Sequence, residues 1–254
     1  MNVDVMIQAL RGPIIVIGAG GFIGANLFTR LLRVRTDVYA VVRKQPSWRL
    51  HNLPAENIVE VDITDAAAVS NLLNALAPQT VFNCSSYGAY SFEENTTLIH
   101  RTNYTAVVEF VEQLSKRPFA AFVHAGSSSE YGTNCSGPSE DATLAPNSEY
   151  ALSKVAVSQY LAYIGKYRQL PVVNLRLYSV YGPLEDTARL IPNVVRKALH
   201  GTYPEFVDGD ISRDFVYIDD VCDAFVVAAA RMNPSIYGEA FNIGTGVILS
   251  LIHI

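Results

Sequence analysis

Four apolar residues, Ile14-Ile15-Val16-Ile17, run straight into Gly18-Ala19-Gly20-Gly21-Phe22-Ile23-Gly24. A short β-branched run closed by glycines reads as a buried strand. Residues 22–33 then carry apolar side chains at helical spacing, with Phe22, Ile23, Leu27 and Leu31 on one face. Gly18, Gly21 and Gly24 form a G-x-x-G-x-x-G turn between the two. Such a turn lets backbone approach a pyrophosphate, while the helix N-terminus offers free N–H donors and a partial positive charge. Glycines alone would be a weak sign. With the strand before them and the helix after them, they predict a dinucleotide site.

The rest of the chain keeps the same rhythm. Strands are expected at 37–42, 58–61, 80–83, 120–124 and 172–177, and helices at 65–76, 102–116 and 150–167. Asp65 stands where a helix N-cap belongs. Alternation of this kind predicts an α/β fold, a Rossmann-like doubly wound parallel sheet with helices on both faces. After Tyr181-Gly182-Pro183 the pattern loosens into helix, turn and short-strand character. We expect a dinucleotide-binding domain over 1–183 and a smaller, partial substrate-binding lobe over 184–254, interleaved with the last sheet elements. The closing stretch FNIGTGVILSLIHI reads as an element cut short, so this lobe is expected to be truncated.

Composition narrows the function classes. Of 254 residues half are hydrophobic and 17% charged, as in a globular protein, and the net charge of −5 argues against nucleic-acid binding. Cys84, Cys135 and Cys222 form an odd set without a C-x-x-C pair, which suits a reducing compartment and gives no metal site. No basic-then-apolar leader opens the chain, and no apolar run approaches the ~20 residues of a membrane helix. The expectation is a cytoplasmic protein.

Two strand ends bear on the cofactor. The second strand finishes Val41-Val42-Arg43-Lys44. Sites for NAD usually carry an acid there, whereas an arginine fork suits the extra phosphate of NADP. NADP is therefore the expected cofactor, with NAD the alternative. The third strand ends at Asp62, able to accept from an adenine amino group.

Tyr150-Ala151-Leu152-Ser153-Lys154 puts a phenol and an ammonium on one helical face. A free phenol is a poor base at neutral pH, and a neighbouring cation favours its ionised form. A serine-rich turn, HAGSSSEYG, follows the fifth expected strand and begins its hydroxyl run near Ser127. A parallel sheet normally carries its site at that end.

The glycine loop, Asp62, these serines, Tyr150-x-x-x-Lys154, RDFVYIDD and FNIGTG occur in the order found in extended short-chain dehydrogenases/reductases. More narrowly, the chain resembles the nucleotide-sugar epimerase/dehydratase group over about 13–246. The resemblance implies Ser127 as catalytic hydroxyl, Tyr150 as acid/base, and Lys154 as its partner and a holder of the nicotinamide ribose. It implies cofactor contacts from Gly18, Gly21, Phe22, Ile23, Gly24, Arg43, Asp62, Ile63, Asn83, Cys84, Ser85, Asn103 and Tyr178. It implies substrate contacts from Ser128, Ser129, Asn193 and Arg213, the arginine gripping the pyrophosphate of a nucleotide sugar, and a homodimer built from helices near 95–117 and 150–167. Ser179 stands where the family often has Asn.

Three reactions share this framework: 4-epimerisation, 4-ketoreduction and 4,6-dehydration. Dehydratases carry an acid and a base directly after the catalytic hydroxyl. Here those positions are Ser128 and Ser129, and only a one-residue gap would bring Glu130 into register. Reductase or epimerase chemistry is therefore expected ahead of dehydration. The alternative from another class, an inactive dinucleotide sensor or scaffold, would be expected to lose Ser127, Tyr150 or Lys154. All three are present.

Overall fold

The computed structural model describes residues 2–45, 47–90, 92–134, 137–202 and 212–250. Cys135 lies outside them, as do residues 203–211 and 251–254 of the expected second lobe and chain end. The chain opens with a helix absent from the sequence reading, α1 (Val3–Ala9), N-capped by the Asn2 side chain on Asp4 N–H. Then follow β1 (Ile14–Ile17), α2 (Phe22–Leu32), β2 (Val38–Val42), β3 (Ile58–Glu60), α3 (Ala66–Leu76) and β4 (Thr80–Asn83). Asp65 caps α3, accepting from the N–H groups of Ala67 and Ala68.

The expected helix at 102–116 is in fact longer and broken. It comprises α4 (Thr96–His100), one π turn (Arg101–Thr105) and α5 (Ala106–Leu114). Asn95 starts it early by accepting from Leu98 N–H. The fifth strand also outruns its expectation: β5 is Ala121–Ser127, so Ser127 is its last residue and does not lie past it. The remaining elements are α6 (Glu149–Arg168), β6 (Val172–Leu177), β7 (Ser179–Tyr181), α7 (Leu190–Leu199), β8 (Ser212–Tyr217), α8 (Ile218–Ala230), β9 (Ala240–Ile243) and β10 (Ile248–Ser250).

Seven strands form one parallel sheet in the order β3-β2-β1-β4-β5-β6-β9. The four residues of β1 are all buried, and successive side chains go to opposite faces. Ile14 and Val16 join a core with Phe28 of α2 and Phe225 of α8. Ile15 and Ile17 join another with Leu72 of α3, Phe110 of α5 and Leu161 of α6. Burying one such side chain contributes about 1.5–3 kcal/mol, so both faces are firmly covered. Because β9 belongs to this sheet, residues from beyond 184 form its edge. A small sheet, β10-β8-β7, stands beside it.

The sheet order reverses between β1 and β4. Ligands of open α/β sheets bind at such a switch point, outside the carboxyl ends of the strands. The glycine loop leaves β1 at that point.

Candidate active site

A cleft of about 960 Å³ opens over the carboxyl ends of β1, β2, β4, β5 and β6. Its floor is the glycine loop. Gly18 has φ +74, and a Cβ there would lie 2.7 Å from the backbone of Cys84 and Ser85 as they leave β4. Gly21 N-caps α2 through backbone alone, leaving the first-turn N–H groups free for an anion. Gly24 lies beneath the loop and does not line the cleft; its Cβ would come 2.4 Å from Gly18 O. A cradle that only glycine can form, aimed at a helix N-terminus, fits the pyrophosphate of a dinucleotide. Phe22 and Ile23 line the cleft beside it.

At one end of the cleft stand Arg43 and Lys44, both exposed, lining it, and without an ion pair among the described residues. Asp62 and Ile63 also line the cleft, though one Asp62 oxygen already accepts from Thr64 N–H and Oγ1 at 2.9 and 2.8 Å. Sequence reasoning missed Trp48 and Arg49 here. The Arg49 guanidinium stacks 4.4 Å over the Trp48 ring, and donates from Nε to Leu184 O at 2.8 Å and from Nη1 to Gly20 O at 3.3 Å. It straps the loop after β7 onto the glycine loop. Nothing local in the sequence signals a bond between residues 135 apart.

Ser127, Tyr150 and Lys154 line the same cleft. The Ser148 side chain starts α6 by accepting from Ala151 N–H, which puts Tyr150 in its first turn. Lys154 follows one turn later, 1% exposed, and its Nζ donates to Ala125 O of β5 at 2.9 Å. No carboxylate pairs with it among the described residues, and Nζ lies 5.7 Å from the Tyr150 ring centroid. A buried ammonium without a counter-ion is costly unless the site uses its charge.

Asn83 and Asn103 are buried and do not line the cleft. Asn83 accepts from the N–H and hydroxyl of Ser85 and bonds His124 Nδ1 at 3.1 Å. Burial holds His124 well below the usual imidazole range, so it is neutral. Asn103, within the π turn, clamps the N–H and carbonyl of Tyr87 and donates to Ser153 Oγ. Both asparagines therefore brace the cleft from behind. Cys84 and Ser85 line it, and burial pushes the Cys84 thiol up to about 12, so it stays protonated at neutral pH.

Ser128, Ser129, Tyr178 and Arg213 also line the cleft. Arg213 makes no ion pair with Asp214 or Asp220 among the described residues; Asp214 instead accepts from Thr245 and Gly246. Asn193 is on α7 but off the cleft wall, accepting from Arg196. Two residues absent from the sequence reading are Arg189, stacked 4.2 Å over Tyr90, and Glu185. Burial raises the Glu185 carboxyl to about 7, and its Oε2 has no partner among the described residues.

Glu130 does not enter the cleft. It is fully buried and paired with Arg176 at 2.8 Å. A gapped alignment that brings it forward as a dehydratase base meets this geometry: the carboxylate points into the core behind β5.

A dinucleotide cradle with Ser127, Tyr150 and Lys154 above it defines a short-chain dehydrogenase/reductase of the extended type. Residues 14–244 match the model of the NAD dependent epimerase/dehydratase family, and the chain belongs to that family. It is 35% identical over 248 residues to UDP-glucose 4-epimerase of Mycolicibacterium smegmatis, covering 92% of this chain and 77% of that protein. It is 29% identical over 252 residues to dTDP-glucose 4,6-dehydratase of Xanthomonas campestris, covering 91% and 70%. Among solved structures, UDP-glucuronic acid 4-epimerase from Bacillus cereus, in complex with UDP-glucuronic acid and NAD, superposes with a TM-score of 0.79 at 26% identity, covering 94% of this chain and 80% of that one. An epimerase from Methanothermobacter thermautotrophicus shares the fold with a TM-score of 0.84, at 23% identity and coverages of 98% and 77%. No helix among the described residues is long and apolar enough to cross a membrane.

Proposed function

We propose that this protein acts on a nucleotide sugar at C4, as a 4-ketoreductase or a 4-epimerase. The observation that carries the reading is one cleft lined by Ser127, Tyr150 and Lys154 together with a glycine-only cradle, with no carboxylate at Ser128 or Ser129. A bound nicotinamide would supply or accept the hydride. Tyr150 exchanges a proton with the sugar oxygen, and Lys154 supplies the positive charge against which that proton can leave. Ser127 holds the same oxygen by a hydrogen bond. Arg213 and Arg189 offer guanidinium forks to the substrate pyrophosphate. The relation to a UDP-glucose 4-epimerase supports the epimerase arm.

Turnover assays with UDP- and dTDP-sugars and their 4-keto derivatives, each with NADPH and NADH, test this. Consumption of NADPH with a keto sugar supports the reductase. Interconversion without net oxidation supports the epimerase. Loss of water across C5–C6 would overturn both.

The cations at Arg43 and Lys44, unpaired among the described residues, support NADP over NAD. In Arg43→Asp the ratio of NADPH to NADH dissociation constants shifts at least tenfold toward NADH, read by quenching of the single tryptophan, Trp48, which lines the cleft. An unchanged ratio assigns the phosphate to another residue. For assembly we favour a homodimer through α4–α5 and α6, because Leu152, Tyr163 and Tyr167 of α6 are exposed at 47%, 55% and 80%. Sedimentation of Tyr167→Glu as a monomer, against a parental dimer, checks it.

A further inference from the structure

The Glu130 carboxylate lies behind the cleft wall, against the residue whose hydroxyl faces the cleft. Its Oε1 accepts from Ser127 N–H at 3.1 Å and from Asn174 Nδ2 at 3.2 Å. Its Oε2 accepts from Arg176 Nε at 2.8 Å. Arg176 is itself fixed, its Nη1 donating to the Tyr131 hydroxyl and to Glu140 O, with 5% of its side chain exposed. Gly126 makes room for the pair: a Cβ there would stand 2.7 Å from Glu130 Oε1 and 2.4 Å from Asn174 Oδ1.

This arrangement decides what Ser127 can offer. Its N–H is spent on Glu130 and turned from the cleft. Its Oγ accepts from Ser129 N–H at 3.1 Å, across the turn that Glu130 pins. A hydroxyl has one proton and two acceptor sites. With one acceptor site filled from the turn, and no protein acceptor for its proton among the described residues, the hydroxyl is left as a donor toward the cleft.

We propose that Glu130 is a positioning residue. With Arg176 it holds the turn 127–129 in the arrangement that presents the Ser127 hydroxyl as a hydrogen-bond donor to the substrate oxygen. This rests on the reading of Ser127 given above. It also explains why a fully buried charge stands three residues from the site, where an apolar residue would pack more cheaply.

The test is a double-mutant cycle on the whole chain with NADPH bound. Glu130→Gln lowers kcat at least tenfold for the best nucleotide sugar, with KM within twofold. In a Ser127→Ala background the same change costs less than twofold. Amide hydrogen exchange over residues 127–129 speeds up at least tenfold in Glu130→Gln, while residues 80–83 of β4 stay protected. Equal losses in both backgrounds, or unchanged exchange at 127–129, would overturn the proposal and leave the pair a purely structural one. Should Glu130→Gln fail to fold, Arg176→Lys, which keeps the charge and loses the fork, is read the same way. A parent chain that turns over no nucleotide sugar sinks the functional reading, and the exchange measurement alone then decides for or against Glu130.

Discussion

Replacing Tyr150 with phenylalanine lowers turnover by about 10³-fold or more and leaves the NADPH dissociation constant within about twofold. The change removes one oxygen and little volume. Ser153 Oγ bonds the Tyr150 carbonyl and Lys154 Nζ bonds Ala125 O, so the helix turn and the ammonium keep their places without the phenol. What disappears is the phenol proposed to pass a proton to the sugar oxygen. Steady-state kinetics against equilibrium titration separate the two effects. Retained turnover would move the acid/base role elsewhere, with Glu185 the first place to look, because its carboxyl titrates near neutrality on the same cleft.

Gly18→Val acts on the other half of the site. The native φ of +74 disfavours a β-branched residue, and any Cβ meets the backbone of Cys84 and Ser85 at 2.7 Å. β1 and β4 must part at the point where the sheet order reverses. Strain of about 3 kcal/mol corresponds to a fall in Tm of roughly 6–12 °C for a chain of this size. Dinucleotide affinity drops by about 100-fold or more, because the parted strands no longer hold the loop against its helix. Differential scanning fluorimetry with and without NADPH reads both. A variant that keeps its NADPH-induced shift in Tm would show that the loop tolerates a side chain, and that the cradle is not the binding feature.

Much of the fold was legible because β-branched runs in a buried parallel sheet speak plainly. The strands at 80–83 and 172–177 match the reading residue for residue. Ala125, Gly126 and Ser127 were left out of β5 because such small residues carry little strand propensity. They are strand because β6 pairs with them from Ala125 through Ser127. The helix α8 went unread although it fills a face of the sheet. The glycine loop, the serines and Tyr150 with Lys154 were legible as local patterns. Arg49, Arg189 and Glu185 were not, since each gains its place where loops distant in sequence meet over the cleft.

The π turn at Arg101–Thr105 has a bearing on how this scaffold can change. A π turn holds one more residue per turn than an α-helix, as a single insertion would produce. Deleting one residue between 101 and 105 would restore a regular helix through 96–114. The wide turn already absorbs the extra residue, so the flanking segments would keep nearly their angular register and the residues inside the turn would be the ones displaced. Asn103 could then no longer reach both Tyr87 and Ser153, which ties the loop after β4 to the helix that carries Tyr150. The irregular turn therefore sets where Asn103 stands between the Tyr87 backbone and Ser153 of α6.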